Sequence, residues 1–242
     1  MPKIYRFKFK YKETAATILT KRKEDYEIIK KAIFEARREI EDYIKKDPFF
    51  MLTLEPYECS GKIVGRMCKA SQLANVGPMA AVAGVIAQYA VEEAIKRGAK
   101  FAVVDNGGDI SMITDQELKV GVYTPSPETQ FIGFKIKPTD TTYAICTSSG
   151  TVGHSISFGY ADAATVFAKD ACIADAFATA LGNRIKENLT KVELERVLKD
   201  FWDRCKAYID GAMVIKGDII GIIGEIPEII KIKADFDLIT KY

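Results

Sequence analysis

The chain has 242 residues, of which 48% are hydrophobic and 28% are charged, and its formal net charge is +2. This length and composition predict a globular protein with a full core, built as one domain over residues 1–242 or as two closely packed lobes. The small net charge, without a concentrated basic face, argues against a nucleic-acid partner.

The first part of the chain predicts a hairpin followed by a long helix. Residues 3–10 and 14–20 read as paired strands. Apolar residues then recur at steps of three and four from Tyr26 to Tyr43, which predicts an amphipathic helix that covers a sheet. Asp47 and Pro48 should end this helix, because the residue before a proline disfavours helical backbone.

A second, buried helix is predicted to start at Gly77 and Pro78 and to end near Gly98. Its apolar face could equally form core or the interface of a homo-oligomer. Further strands are expected at residues 101–104, 118–123, 131–136, 143–146 and 164–168, and a hairpin at 211–223. Helices are expected at 170–184 and from Thr190, which opens a capping box, to about 205. The fold class is therefore α+β, with a largely antiparallel sheet flanked by helices.

No segment has the character of a secretion signal or a membrane span. Residues 1–6 lack the apolar core of a signal peptide, and the longest apolar stretch, residues 77–87, is too short to cross a bilayer. We therefore expect a cytoplasmic protein without a membrane partner.

The five cysteines are spaced singly, without a Cys-x-x-Cys pair. This spacing argues against a zinc site, and a cytoplasmic location argues against disulfides. We therefore expect most of the cysteines to be buried free thiols.

Asp175 and Thr179 stand four residues apart on a predicted helix, so their oxygens share one face. Their neighbours are almost all apolar, and a carboxylate in such surroundings needs a partner. Oxygen ligands suit Mg²⁺ or Ca²⁺ better than zinc. The alternative is that Asp175 caps a nearby loop, while the Thr179 hydroxyl bonds back to a helix carbonyl.

Two loops offer groups that could bind a phosphorylated ligand. Asn106, Gly107, Gly108 and Asp109 follow a strand, and paired glycines let backbone amides approach a phosphate or the edge of a ring. The same residues also make an ordinary hairpin turn, which is the favoured interpretation for this motif alone.

The second loop is hydroxyl-rich and comprises Thr147, Ser148, Ser149 and Gly150, followed by the only histidine, His154. Such a loop can bind a phosphate or a flavin edge. Alternatively, Ser148, Ser149 or Ser155 could pair with His154 as a hydrolase nucleophile and base. A lone histidine is also often a structural, hydrogen-bonded imidazole.

The order of these motifs resembles that of the ApbE family of FAD:protein FMN transferases, in a cytosolic branch. The motifs are the glycine motif, the Thr-Ser-Gly segment, the histidine and Ala-Asp-Ala-x-Ala-Thr-Ala over residues 174–180. The resemblance covers roughly residues 70–185. It implies an ApbE-like, T-fold-related architecture with FAD in a cleft and Mg²⁺ near its pyrophosphate. In the family, a hydroxyl of a protein acceptor attacks the FMN phosphorus and AMP leaves.

The resemblance also assigns roles to individual residues. Asp175 and Thr179 match the metal-binding pair, and His154 occupies the position of the family's histidine. The cofactor-binding matches are the glycine motif and the hydroxyl loop: Asn106, Gly107, Gly108, Asp109, Thr147, Ser148, Ser149 and Gly150.

Two departures from the family pattern bear on activity. After His154 the chain reads Ser155-Ile156-Ser157-Phe158-Gly159, so the family's Asp-Pro pair and its Thr are missing, and the expected Lys-Gly pair is absent around residues 77–81. A non-enzymatic binding or assembly module on the same fold is therefore a further alternative.

Overall fold

The computed structural model describes residues 3–126, 129, 132–150 and 159–232. The strands are β1 Tyr5–Tyr11, β2 Thr14–Thr20, β3 Ala102–Asn106, β4 Asp109–Ile113, β5 Leu118–Gly121, β6 Ile132–Ile136, β7 Tyr143–Ser148, β8 Ala163–Ala168, β9 Gly211–Lys216, β10 Ile219–Gly224 and β11 Glu228–Lys231. The helices are α1 Lys23–Lys46, α2 Phe49–Leu52, α3 Val64–Ala74, α4 Val82–Lys96, α5 Ala171–Gly182 and α6 Lys191–Cys205, and a 3₁₀ turn over Pro78–Ala81 precedes α4.

Eight strands form one large sheet in the order β1-β2-β3-β4-β7-β8-β9-β10, and every neighbouring pair is antiparallel. A smaller antiparallel sheet has the order β11-β6-β5. The predicted α+β class, with a largely antiparallel sheet flanked by helices, is confirmed.

The large sheet is covered on both faces, so every residue of β4 and β8 is buried. Side chains of one face, including Val104 and Cys146, share a core with the helices. Side chains of the other face pack on the small sheet, where the rings of Phe167 and Phe134 meet edge to face at 4.8 Å. Because successive strand residues alternate between faces, each strand position is assigned to the helix side or to the small-sheet side.

Polar groups fix α4 and α5 against the sheet. The Gln88 side-chain oxygen of α4 accepts hydrogen bonds from the Ser111 hydroxyl of β4 (2.9 Å) and from the Ala171 amide at the start of α5 (3.0 Å). Asp170 caps α5 by accepting from two amides of its first turn and also pairs with Arg66 of α3 at 3.0 Å. The start of α5 is therefore held by side chains of α3 and α4.

Most predicted elements form, with shifted boundaries. The Pro78 segment begins with the 3₁₀ turn before it becomes α4, and the strand predicted at 101–104 extends to Asn106. The capping box of Thr190 and Glu193 is confirmed. Helix α3 and strands β4 and β11 were not predicted. Within the described residues, no single helix is long and apolar enough to span a bilayer; only α3 and Pro78–Lys96 together reach that composition, and they are bent by 105°.

The expectation that the chain forms no disulfide is wrong for one pair of cysteines. Cys59 and Cys68 form a disulfide with a Cα–Cα distance of 5.9 Å, whereas Cys146, Cys172 and Cys205 are buried free thiols, as expected. The chain folds back before α3 and places Cys59 beside this unpredicted helix, which the sequence spacing of nine residues does not reveal.

Breaking this disulfide should lower stability by loosening the segment that precedes α3. For a loop of this length, the chain-entropy relation gives a loss of about 2.5 kcal/mol in the free energy of unfolding. Urea unfolding of the wild type with and without reductant, beside Cys59→Ser, measures this loss. The reductant should have no effect on the variant, and coincident curves for the oxidised wild type and the variant would contradict the expectation.

Candidate functional site

The Asn106–Asp109 segment is a two-residue hairpin turn between β3 and β4. Asn106 pairs with Asp109 across the ladder, and Gly107 and Gly108 have φ values of 75° and 95°. Positive φ at both central positions is the type I′ geometry that matches the twist of the flanking strands. The hairpin-turn interpretation of this motif is therefore correct for its backbone.

This turn is attached to the start of α4. The Asn106 side-chain amide donates to the Ala83 carbonyl at 3.2 Å, and the Asp105 carboxylate accepts from the Gly108 amide at 2.9 Å. The turn therefore ends on the helix side of the sheet, where Asp109 opens β4.

Asp175 lies on α5 and is only 8% exposed. One of its carboxylate oxygens accepts a hydrogen bond from the Gly84 amide at 2.8 Å. Gly84 is in the first turn of α4, whose amides have no partner within their own helix, and a negative charge there is stabilised by the helix dipole. One oxygen of Asp175 therefore caps the start of a helix, whereas the alternative to metal binding predicts that it caps a loop.

Asp109 is equally buried, at 8% exposure, and its Oδ1 has no hydrogen-bond partner among the described residues. Burial raises the pKa of Asp109 well above its ordinary value, and the charges of Asp175 and Asp105 raise it further. The Cys146 thiol and the Thr147 amide offset part of this rise. Asp109 and Asp175 therefore behave as two mutually repelling carboxyls in one buried place.

Burial also raises the pKa of Asp175, to about 7, although the Gly84 and Ala83 amides oppose the rise. No basic side chain is among the groups that shift either pKa, and neither carboxylate belongs to an ion pair in the described part of the chain. The pair thus lacks the counter-charge that buried carboxylates normally require.

The arrangement fits a hard divalent cation better than a transition metal. It offers two carboxylates and, one helical turn after Asp175, the Thr179 hydroxyl. Within residues 3–126, 129, 132–150 and 159–232, no group of three or more His, Cys, Asp or Glu side chains could form a metal cage. Mg²⁺ commonly uses one or two carboxylates and takes its remaining ligands from water and substrate phosphates.

The hydroxyl-rich segment lies beside the glycine turn, but its side chains lie on opposite faces of the sheet. The Thr147 amide donates to the Gly108 carbonyl at 3.2 Å, which joins the end of β7 to the glycine turn. The Thr147 hydroxyl lies 3.0 Å from that of Thr165, on the small-sheet side, whereas alternation places Ser148 on the helix side. The predicted cofactor roles of Thr147, Ser148, Ser149 and Gly150 remain predictions.

Other residues singled out from the sequence lie elsewhere. His154 and Ser155 lie outside the described residues. Asp162, directly before β8, accepts a hydrogen bond from the Gly217 amide at 2.6 Å, in the β9–β10 turn. Sequence reasoning missed Gly84 and the proximity of Asp109 to Asp175; the glycine in an otherwise apolar helix pattern was the available signal.

Known proteins share this architecture and sequence. A family model described as "AbpE bacteria" matches residues 1–200. The UPF0280 protein of Archaeoglobus fulgidus is 54% identical over 237 residues, covering 98% of this chain and 99% of its own. The UPF0280 protein of Methanothrix thermoacetophila is 46% identical over 237 residues, covering 96% and 98%. The chain belongs to the ApbE-like superfamily.

Solved ApbE structures have the same fold at low sequence identity. The flavin transferase ApbE from Vibrio cholerae superposes with a TM-score of 0.60 at 14% identity and covers 92% of this chain and 97% of its own. The ApbE protein from Thermotoga maritima gives a TM-score of 0.55 at 15% identity and covers 99% and 100%. These matches confirm the ApbE-like fold predicted from the motif order.

Replacing Gly84 by alanine should separate α4 from α5. An added Cβ would lie 2.1 Å from the Ala171 carbonyl oxygen and 2.7 Å from the Asp175 Cβ. We expect the free energy of unfolding to fall by about 2–3 kcal/mol. At helical Gly65 the nearest atom to an added Cβ is 3.8 Å away. Gly65→Ala should therefore be neutral or stabilising by up to about 1 kcal/mol. Equal losses in urea unfolding of the two variants would contradict this packing.

The raised pKa of Asp175 predicts a pH dependence of stability in the absence of divalent cations. Its folded-state pKa of about 7 exceeds the ordinary 3.8, so the folded state binds this proton more tightly than the unfolded state. Ionisation of Asp175 therefore costs stability progressively between about pH 4 and 7, and in full above. Asp175→Asn cannot ionise and keeps an oxygen that accepts from Gly84.

Relative to the wild type, Asp175→Asn should become more stable from about pH 5 to 8, by at most about 4 kcal/mol. Urea unfolding of both proteins in chelator-treated buffer at several pH values measures this difference. A difference that does not change with pH would show that Asp175 is not held in the described surroundings.

Proposed function

We propose that this protein binds Mg²⁺ at Asp175 and Thr179 together with a flavin or a related nucleotide, and acts as a flavin-transferase-related enzyme. The observation that carries the proposal is the buried Asp109–Asp175 pair, which has no basic counter-charge and lies beside the glycine turn. The Vibrio cholerae neighbour on the same fold is a flavin transferase.

In the proposed reaction, a hydroxyl oxygen of a protein acceptor attacks the FMN phosphorus of FAD. The new phosphorus–oxygen bond forms as the bond to AMP breaks, and the hydroxyl proton passes to a base, a role for which the sequence offers His154. Mg²⁺, when bound, would neutralise the charge that develops on the phosphate.

The chain's own residues would mainly position and desolvate the phosphates. The type I′ turn offers half-buried glycines to the ligand, so its backbone can approach a phosphate or ring edge closely. Asn106 binds the turn to α4, and Asp105 accepts a hydrogen bond from Gly108 within the turn. Both contacts keep the geometry of the turn fixed before the ligand binds. Because the turn is already ordered, ligand binding loses less conformational entropy there.

Two other functions remain as alternatives. A hydrolase would use Ser148, Ser149 or Ser155 with His154; Ser148 is only 8% exposed, which argues against it as the nucleophile. A non-catalytic binding or assembly module would keep the fold and tolerate loss of Asp175. Ligand binding separates these alternatives from the proposal.

FAD with Mg²⁺ should raise the melting temperature of the wild type. A ligand at a hundred times its dissociation constant stabilises by about 2.7 kcal/mol. We expect this stabilisation to require Mg²⁺ and to disappear in Asp175→Asn. The test is differential scanning calorimetry with FAD, FMN, ADP and AMP, each with and without Mg²⁺.

Asp115→Asn is the matched control, because Asp115 pairs with Lys21 at the surface and should leave the FAD response unchanged. A response to FAD that is independent of Mg²⁺ and of Asp175 would contradict the proposed cation site. A lack of response to all four nucleotides would favour the non-catalytic module.

A further inference from the structure

We infer that Asp109 is a direct ligand of the divalent cation and completes a two-carboxylate site with Asp175. The ApbE resemblance assigns the metal to Asp175 and Thr179 and places Asp109 with the glycine motif, so this role is additional. The inference rests on the proposed function, because it concerns the same cation.

The position of Asp109 follows from strand alternation. Asp109 and Ser111 lie on the helix side of β4, where Ser111 contacts Gln88 of α4, whereas Ile110 and Met112 face the small sheet. The neighbouring residue on β7 is Cys146, also on the helix side. The Asp109 side chain is therefore directed into the space between the sheet and the starts of α4 and α5.

The hydrogen bonding of the two carboxylates is unequal. Asp175 has an amide donor from Gly84, and the Cys146 thiol and the Thr147 amide stabilise Asp109, but Oδ1 of Asp109 is buried and has no partner among the described residues. Buried polar atoms are nearly always satisfied, so an exception calls for a ligand that the protein alone does not supply. A carboxylate oxygen accepts only from a donor or a cation.

A proton and a divalent cation would satisfy the pair differently. One proton neutralises one carboxyl and leaves the other charged in the same buried place. A divalent cation balances both charges at once and gives the unpartnered oxygen of Asp109 a ligand role. Two carboxylates with Thr179 leave several coordination positions for water or ligand phosphate, as Mg²⁺ prefers.

Another role for Asp109 would be purely electrostatic, with the carboxylate near the cation but not bound to it. Asp105 provides the comparison, because it lies in the same turn, adds a negative charge to the surroundings of Asp109 and accepts from Gly108. Asp105→Asn therefore removes a nearby charge without removing a ligand oxygen.

The experiment measures Mn²⁺ binding to the full chain by electron paramagnetic resonance, with Mn²⁺ as the probe for the Mg²⁺ site. We compare the wild type with Asp109→Asn, Asp175→Asn and Asp105→Asn. We expect the first two variants to weaken Mn²⁺ binding by about tenfold or more, and Asp105→Asn by no more than about threefold. In protein with ¹³C-labelled aspartate carboxyls, the bound Mn²⁺ should couple to two carboxyl carbons in the wild type and to one in Asp109→Asn.

Folding is monitored separately, by urea unfolding without metal. Asparagine has nearly the shape of aspartate, and weaker binding by an Asp109→Asn variant that shows the same cooperative unfolding transition as the wild type would not reflect unfolding.

The outcomes distinguish the inference from the proposed function. If Asp175→Asn weakens binding while Asp109→Asn behaves like Asp105→Asn and the couplings are unchanged, Asp109 is not a ligand but the cation site stands. If the wild type itself does not bind Mn²⁺, both are overturned.

Discussion

Asp109 and Asp175 bury two carboxylates in the space where β4 meets the starts of α4 and α5, and no basic side chain among the groups that shift their pKa balances them. Burying two carboxylates without a counter-charge is energetically unfavourable, and neighbouring groups reduce this cost. The Gly84 amide stabilises one carboxylate, and the absence of a Cβ at Gly84 lets α5 approach closely enough for that bond. The type I′ turn places Asp109, which bears the other carboxylate, at the start of β4. A cation between them would turn an unfavourable pair into a binding site.

Local patterns predicted the elements whose geometry depends on nearby residues. The amphipathic period after Tyr26, the Thr190 capping box and the Asn106–Asp109 turn each encode their structure within a few positions, and all three form. Elements that depend on tertiary contact were missed. Helix α3 is fastened by the Cys59–Cys68 disulfide, and the fold-back that brings these cysteines together has no local sequence signal.

The sequence predicts both Asp175 and Asp109 as site residues, but it does not predict that they lie next to each other. Asp175 was singled out because apolar neighbours surround it, and that burial is present. The sequence places Asp109 only in a glycine loop, because its nearness to Asp175 depends on the order of β4 and β7 in the sheet and on the contact between α4 and α5. Strand alternation along β7 likewise places the Thr147 hydroxyl beside Thr165 and away from the carboxylates, and this alternation depends on where the strand lies in the sheet.

The central claim, that the two buried carboxylates form one cation site, is tested most directly by crystallography with manganese. Crystals grown with Mn²⁺, measured above and below the manganese absorption edge, locate the ion from its anomalous scattering. The account predicts one strong peak in contact with carboxylate oxygens of both Asp109 and Asp175. A peak at Asp175 alone would contradict the shared site, and a Mn²⁺-saturated crystal without a peak near either residue would contradict the cation site altogether.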